Sequence, residues 1–367
     1  MYFTNWVFGQ KSGLNFSTSG VTAFTAPSMN SLEGCASISS AIGNLLCYSD
    51  GTKLWDAAGT LKISGLSGNI DSTQAAMFVP HPGQPTLFYL FTSDGSSGTD
   101  NHLNGIGFSA VTWGWSPLST LMTMPPTIGY SGTERLAAVR HKNNKDIWIL
   151  TIVQNTASGN TGLLPGILRV LRVTPTGVSY VGDQPLNRVV GDIGQMKAST
   201  SGRHIAIADM CSGRVLLYPF NNSTGQINVA GVTDILAKDP HDGTNEYPYG
   251  VEFSWNSRLL YYSTLFPLPV PVSPLADGHI FQYFPNTGAH VLIGTRQNIP
   301  ATVNQIASLQ LGADRRIYFT QGDENSLGVI PNPDMPGVAC GFTLNAVPLA
   351  PGTSCRLGLP NVISGLL

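Results

Sequence analysis

Ser199-Thr200-Ser201-Gly202-Arg203-His204-Ile205-Ala206-Ile207-Ala208-Asp209 reads as a tight polar turn followed by a short apolar strand. Small polar side chains bond their own backbone in such turns, and glycine tolerates positive φ. The pattern returns as Ser254-Trp255-Asn256-Ser257-Arg258-Leu259-Leu260-Tyr261-Tyr262-Ser263-Thr264 and as Gly312-Ala313-Asp314-Arg315-Arg316-Ile317-Tyr318-Phe319-Thr320-Gln321. In each copy an arginine (Arg203, Arg258 or Arg315) stands between the turn and the strand. Looser copies run from Lys142 to Thr151 and from Ala41 to Tyr48.

Another short apolar run precedes each turn: Cys35–Ile38, Ala75–Val79, Leu136–Val139, Gln195–Ala198, Gly250–Phe253 and Ile306–Leu311. Hairpins follow, with turns at Thr174–Gly177, Asn221–Gly225 and Pro285–Gly288. Each unit therefore holds four short antiparallel strands, which is the anatomy of a propeller blade. Inner strands are expected near 33, 74, 136, 195, 249, 306 and 359, about 40 to 60 residues apart. The expected fold is an all-β, seven-bladed β-propeller over residues 1–367 as one domain. Its last blade is shared. Leu357–Ser364 serves as the inner strand, and Asn5–Phe8 and Gly13–Phe16 supply the rest. Such closure removes an exposed sheet edge.

Composition agrees. Of 367 residues, 41 are glycine and 25 proline, and only 11% are charged, which suits many turns and few polar helices. The net charge is −2, so no basic face is available for nucleic acid. No apolar run is long enough to span a bilayer, and Leu265–Pro274 is broken by prolines. The start, Met-Tyr-Phe-Thr-Asn-Trp, lacks the basic and apolar regions of a secretory leader. Five cysteines cannot all pair. Cys35 with Cys47 and Cys340 with Cys355 are the pairs to test, against buried thiols as the plainer reading. No zinc-type spacing occurs, and no cofactor is expected.

Certain strings carry a resemblance. They are Asn5-Trp6-Val7-Phe8-Gly9, Glu33-Gly34-Cys35-Ala36-Ser37-Ile38, Gly43–Gly51 with Leu54-Trp55, Ser72-Thr73-Gln74-Ala75, Tyr249–Ser254, Leu309–Gly312 and Gly358-Leu359-Pro360-Asn361. Together they resemble a group of WD-like propellers common in Bacteroidetes. Val7, Cys47 and Val362 depart from the residues usual there. The resemblance implies a propeller used as a protein-contact module, often at a surface or outside the cell.

Little in the chain signals catalysis. No nucleophile elbow, Walker loop or dinucleotide motif occurs, and the seven histidines are scattered. Asp239, Asp242 and Glu246, with His241, form the one acidic loop that suggests carboxylate chemistry or a hard cation, and a solvated loop explains it as well. Asp50-Gly51 reads as a turn, with Trp55 packed between blades. Trp113 and Trp115 alternate, which puts both on one strand face, where they would pack between blades or anchor a sugar or partner protein.

The expectation is thus a module that is not an enzyme and has no catalytic or metal-binding residues. Trp113, Trp115, Asp239 and Asp242 are its candidate contact residues. Its expected partners are other subunits of a larger assembly, or a surface glycan or receptor. A virion component (phage tail, baseplate or capsid decoration) is the first placement, and a secreted or cell-surface propeller the second. A propeller glycosidase or lyase is the third reading, and it requires carboxylates or a metal converging in the funnel.

Overall fold

The computed structural model describes residues 2–93, 103–123, 130–155, 164–238, 243, 245–265, 275–300 and 306–366. Among the described residues the strands form seven antiparallel sheets. Blade 1 comprises Ala36–Ser39, Leu45–Ser49, Lys53–Asp56 and Leu61–Ser64. Blade 2 comprises Ala76–Pro80, Leu87–Ser93, Leu103–Ser109 and Trp115–Pro117, and blade 3 Tyr130–Arg140, Ile147–Asn155, Leu164–Thr174 and Gly177–Val190. Blade 4 runs through Met196–Ala198, His204–Asp209 and Arg214–Asn221 to Thr233–Leu236, with Gln226–Ile227 as an extra pairing. Blade 5 holds Tyr247–Phe253, Leu260–Leu265, Leu275–Tyr283 and His290–Pro300, and blade 6 Leu309–Leu311, Ile317–Phe319, Ser326–Ile330 and Thr343–Pro348. The N-terminal strands Asn5–Phe8, Gln10–Ser17 and Gly20–Asn30 make blade 7.

The apolar faces of these sheets are buried against one another in sequence order. One cluster joins blades 1, 2 and 3, and others join 3 to 4, 4 to 5 and 5 to 6. A further cluster closes the ring, since Trp6, Phe8 and Phe16 of blade 7 meet Tyr318 and Leu327 of blade 6 and Tyr48 and Trp55 of blade 1. Trp6, Phe16 and Tyr318 pack edge to face, with centroids 4.7 to 5.4 Å apart. The Asp50 turn behaves as read. Asp50 Oδ1 accepts from the Thr52 and Lys53 amides at 2.8 Å, Gly51 takes φ +90°, and Trp55 stacks on Tyr48.

Backbone hydrogen bonds tie the entries of the inner strands into a collar around the axis. Gly34 N donates to Ser72 O, Gln74 N to Glu134 O, Glu134 N to Asp192 O, and Gln195 N to Tyr249 O. Ser308 N donates to Leu357 O, and Leu357 N to Leu32 O, so the C-terminal segment fills the last place in the collar.

Beyond Leu357 the course differs from the expected inner strand. The chain ends meet, with Gln10 and Ser354 exchanging backbone hydrogen bonds and Leu359 in the Trp6 cluster. Leu357–Ser364 does not join the blade 7 sheet, however, which holds three strands. It runs parallel to blade 1 at Cys35–Pro360 and to blade 3 at Val139–Ser364, across the centre of the ring. The reason lies in the edge it would have joined. Ser37 Oγ already accepts from Val7 N at 3.2 Å and donates to Asn5 O at 2.8 Å, and Pro360 has no amide to donate.

All five cysteines are free thiols, so neither Cys35–Cys47 nor Cys340–Cys355 is a disulfide here. Burial pushes the Cys355 thiol up to about 11, and it donates to Gly322 O at 2.9 Å. Among the described residues no helix is long and apolar enough to cross a membrane.

Candidate functional site

The collar carries the acidic residues that converge. Glu33 sits on the link from blade 7 to blade 1, and Glu134 midway along the innermost strand of blade 3, Tyr130–Arg140. Both side chains are largely buried, and burial raises the pKa of each carboxyl. The charge of Glu134 raises Glu33 further. Thr73 holds Glu134 in place, its amide and hydroxyl both donating to Oε2, at 3.1 and 2.6 Å. Tyr249 faces the pair, and its hydroxyl is pushed well above its ordinary range by burial and by Glu33 and Glu134. Neither Tyr249 Oη nor Glu33 Oε2 has a partner in good hydrogen-bond geometry.

Local irregularities aim these groups. The register of blade 3 shifts between Gly132 and Leu136, around Glu134, and that of blade 5 between Pro248 and Val251, around Tyr249. Bulges re-aim side chains that a regular ladder would bury between strands. Arg135, fully buried behind Glu134, is spent on carbonyls instead. Its guanidinium donates to Gly191 O and Ile193 O at 2.6 Å and to Ala208 O at 2.8 Å, and lies 3.9 Å from Asp209.

Deeper along the axis the polar groups serve the ring itself. Gln74 Oε1 accepts from Leu136 N and Met196 N, and Gln195 Oε1 from Val251 N and Leu309 N. Lys197 bonds Gln310 and lies 3.9 Å from Glu252. Burial lowers the Lys197 pKa and raises that of Glu252. Around the collar the surface mixes apolar and polar groups, with Ile193, Tyr247, Leu265 and Leu357 packed beside Tyr249. On blade 5, His279 Nδ1 lies 2.5 Å from Glu246 Oε1. Among the described residues no group of three or more His, Cys, Asp or Glu is placed to hold a metal ion.

The residues singled out from sequence fare differently. Asp239 and Asp242, with His241, lie outside the described residues. Trp113 and Trp115 do not share a strand face. Trp113 is in a turn at φ +60°, half-buried and stacked on Phe108, with Lys62 Nζ 5.2 Å from its ring centre. Strand alternation therefore never applied to it. Trp115 opens the outermost strand of blade 2 and is 51% exposed. Glu33, Glu134 and Tyr249 carry no motif that marks them as chemistry. The one signal in the sequence is a carboxylate at two inner-strand entries in a chain with few charges.

No family model and no curated protein matches the chain. Solved structures do. A protein from Lactobacillus plantarum is 12% identical, covering 98% of this chain and 99% of that one, at a TM-score of 0.55. The Dos1 propeller is 9% identical, covering 96% and 85%, at 0.51. What they share with this chain is the fold. An oligogalacturonate lyase in complex with manganese (12% identity, 93% and 85% covered, TM-score 0.48) and a Pseudomonas aeruginosa periplasmic gluconolactonase (14%, 96% and 84%, 0.48) are also similar. These matches correct one expectation. Enzymes stand among the similar propellers, so the conclusion from sequence that the chain is not an enzyme is withdrawn.

Proposed function

We propose that the collar face binds a small, neutral, polyhydroxylated substrate and that Glu33 and Glu134, with Tyr249, perform acid–base chemistry on it. One observation carries this reading: the collar holds two largely buried carboxylates, Glu33 and Glu134, with Glu134 anchored on Thr73 and the buried Tyr249 hydroxyl in electrostatic reach of both. At neighbouring inner-strand positions Gln74 and Gln195 bridge the blades with neutral amides at no charge cost. Opposed buried carboxylates are costly, and such pairs recur where one must hold a proton while the other accepts one. Asp192 adds to the negative charge felt by Glu134, which favours a neutral substrate over a uronate. Apolar Ile193, Tyr247 and Leu357 beside hydroxyl and carboxyl groups suit a sugar-like molecule.

The test is turnover of neutral glycosides and sugar lactones by the purified chain, beside Glu33→Gln and Glu134→Gln. Activity in the parent, lost in both folded variants, supports the reading. Undiminished turnover in both variants, or none with any substrate, overturns it.

The place of work is a separate proposal. Partnership with other subunits of a virion or of a cell-surface assembly rests on the sequence patterns alone. Mass spectrometry of purified virions and of culture supernatant decides between them.

A further inference from the structure

Away from the axis, a cleft of about 470 Å³ lies between the end of blade 1 and the outer strands of blade 2. Its size falls within the roughly 300–1,000 Å³ of small-molecule clefts. Trp115 forms a wall, and Leu103 and Ile106 supply apolar surface. Ser64, Asn104 and Ser119 bring polar groups to the cleft. Thr92 also lines it, and this side chain is 1% exposed with no hydrogen-bond partner for its Oγ1. No charged side chain lines the cleft among the described residues.

We propose that this cleft is a second, non-catalytic subsite that binds a neutral saccharide. A sugar ring lies on the exposed indole of Trp115, a flat apolar surface with one polar edge. Ring hydroxyls then bond Ser64, Asn104 and Ser119. Among the described residues the uncharged lining selects against uronates and sulfated glycans, whose desolvation it would not offset. Trp115 also borders a smaller cleft of about 240 Å³ beside Tyr89 and His81. The two clefts thus meet at Trp115, which gives room for a chain longer than one ring.

Calorimetric titration and saturation-transfer NMR with cellohexaose, mannohexaose, chitohexaose and trigalacturonate test this. The expected result is saturable binding of at least one neutral hexamer and none of trigalacturonate. Trp115→Ala should weaken binding about ten-fold or more, the scale of an aromatic anchor. Trp115→Phe should restore part of the loss, and Ser119→Ala should weaken binding without altering the indole. Trp115 is half-exposed on an edge strand, so its variants should melt with the parent. No binding of any neutral hexamer, equal binding of trigalacturonate, or unchanged binding by folded Trp115→Ala and Ser119→Ala overturns the proposal.

Discussion

Gln74 Nε2 donates to Asn361 Oδ1 at 3.3 Å, although 287 positions separate the two residues in the chain. Asn361 Nδ2 in turn donates to Leu136 O at 2.6 Å, so this one side chain links the C-terminal segment to blades 2 and 3. Replacing it with alanine strips partners from buried groups on both blades, each worth about 1–3 kcal/mol. Asn361→Ala should therefore lower urea-unfolding stability by at least about 1 kcal/mol, and removing 357–367 should cost far more. Trimming the exposed tip at Ile42 should cost little. Equal losses from all three would deny the segment its role in closing the ring.

Arg135 answers four carbonyls and a carboxylate from a fully buried position. Arg135→Met removes the shared donor from all of these acceptors, and breaking such a buried network costs about 3–5 kcal/mol. Arg135→Lys should recover little of this, because a single ammonium cannot reproduce the planar fork. Chemical denaturation of the two variants measures both effects. A fully rescuing lysine would mean that charge alone matters there.

The blades were legible because their determinants are local. Arg203, Arg258 and Arg315 each close a turn whose chemistry lies within a few residues, and the strand that follows declares itself by apolar content. The collar was not legible for the opposite reason. Thr73 meets Glu134 across 61 positions, and Tyr249 joins them only once five blades have closed. The same distinction explains the two tryptophans. Reading Trp113 and Trp115 as alternating presupposed a strand, whereas the backbone at Trp113 turns through positive φ, which little but glycine advertises in sequence. The path of Leu357–Ser364 was half legible: its arrival at the axis followed from counting blades, while its exclusion from the blade 7 sheet depends on Ser37.

Thiol chemistry separates one cysteine from the rest. Cys211 is exposed, while Cys35, Cys47, Cys340 and Cys355 are buried, with burial raising their thiol pKa values. The pKa of Cys211 is raised as well, by desolvation first and then by Asp209, so even this thiol should react slowly at neutral pH. Iodoacetamide on the native protein should add one label, at Cys211, and five after unfolding under non-reducing conditions. Fewer than five labels in the unfolded chain would reveal a disulfide.

The carboxylate pair makes stability fall as pH rises. Glu33 and Glu134 both have folded-state pKa values above their unfolded ones. Below the unfolded value, near 4.5, both states are protonated and the pair costs nothing. As pH climbs from there towards the folded values, the unfolded chain ionises first and is favoured, by about 1.4 kcal/mol for each tenfold difference in proton affinity between the two states. Glu33→Gln keeps the shape and removes the charge. It should match the parent at pH 4, exceed it in urea-unfolding stability at pH 8, and lose any acid–base activity of the collar. A variant more stable at neutral pH yet inactive is what a functional carboxylate in a costly position produces. Destabilisation by glutamine at pH 8 would instead make Glu33 a structural anion.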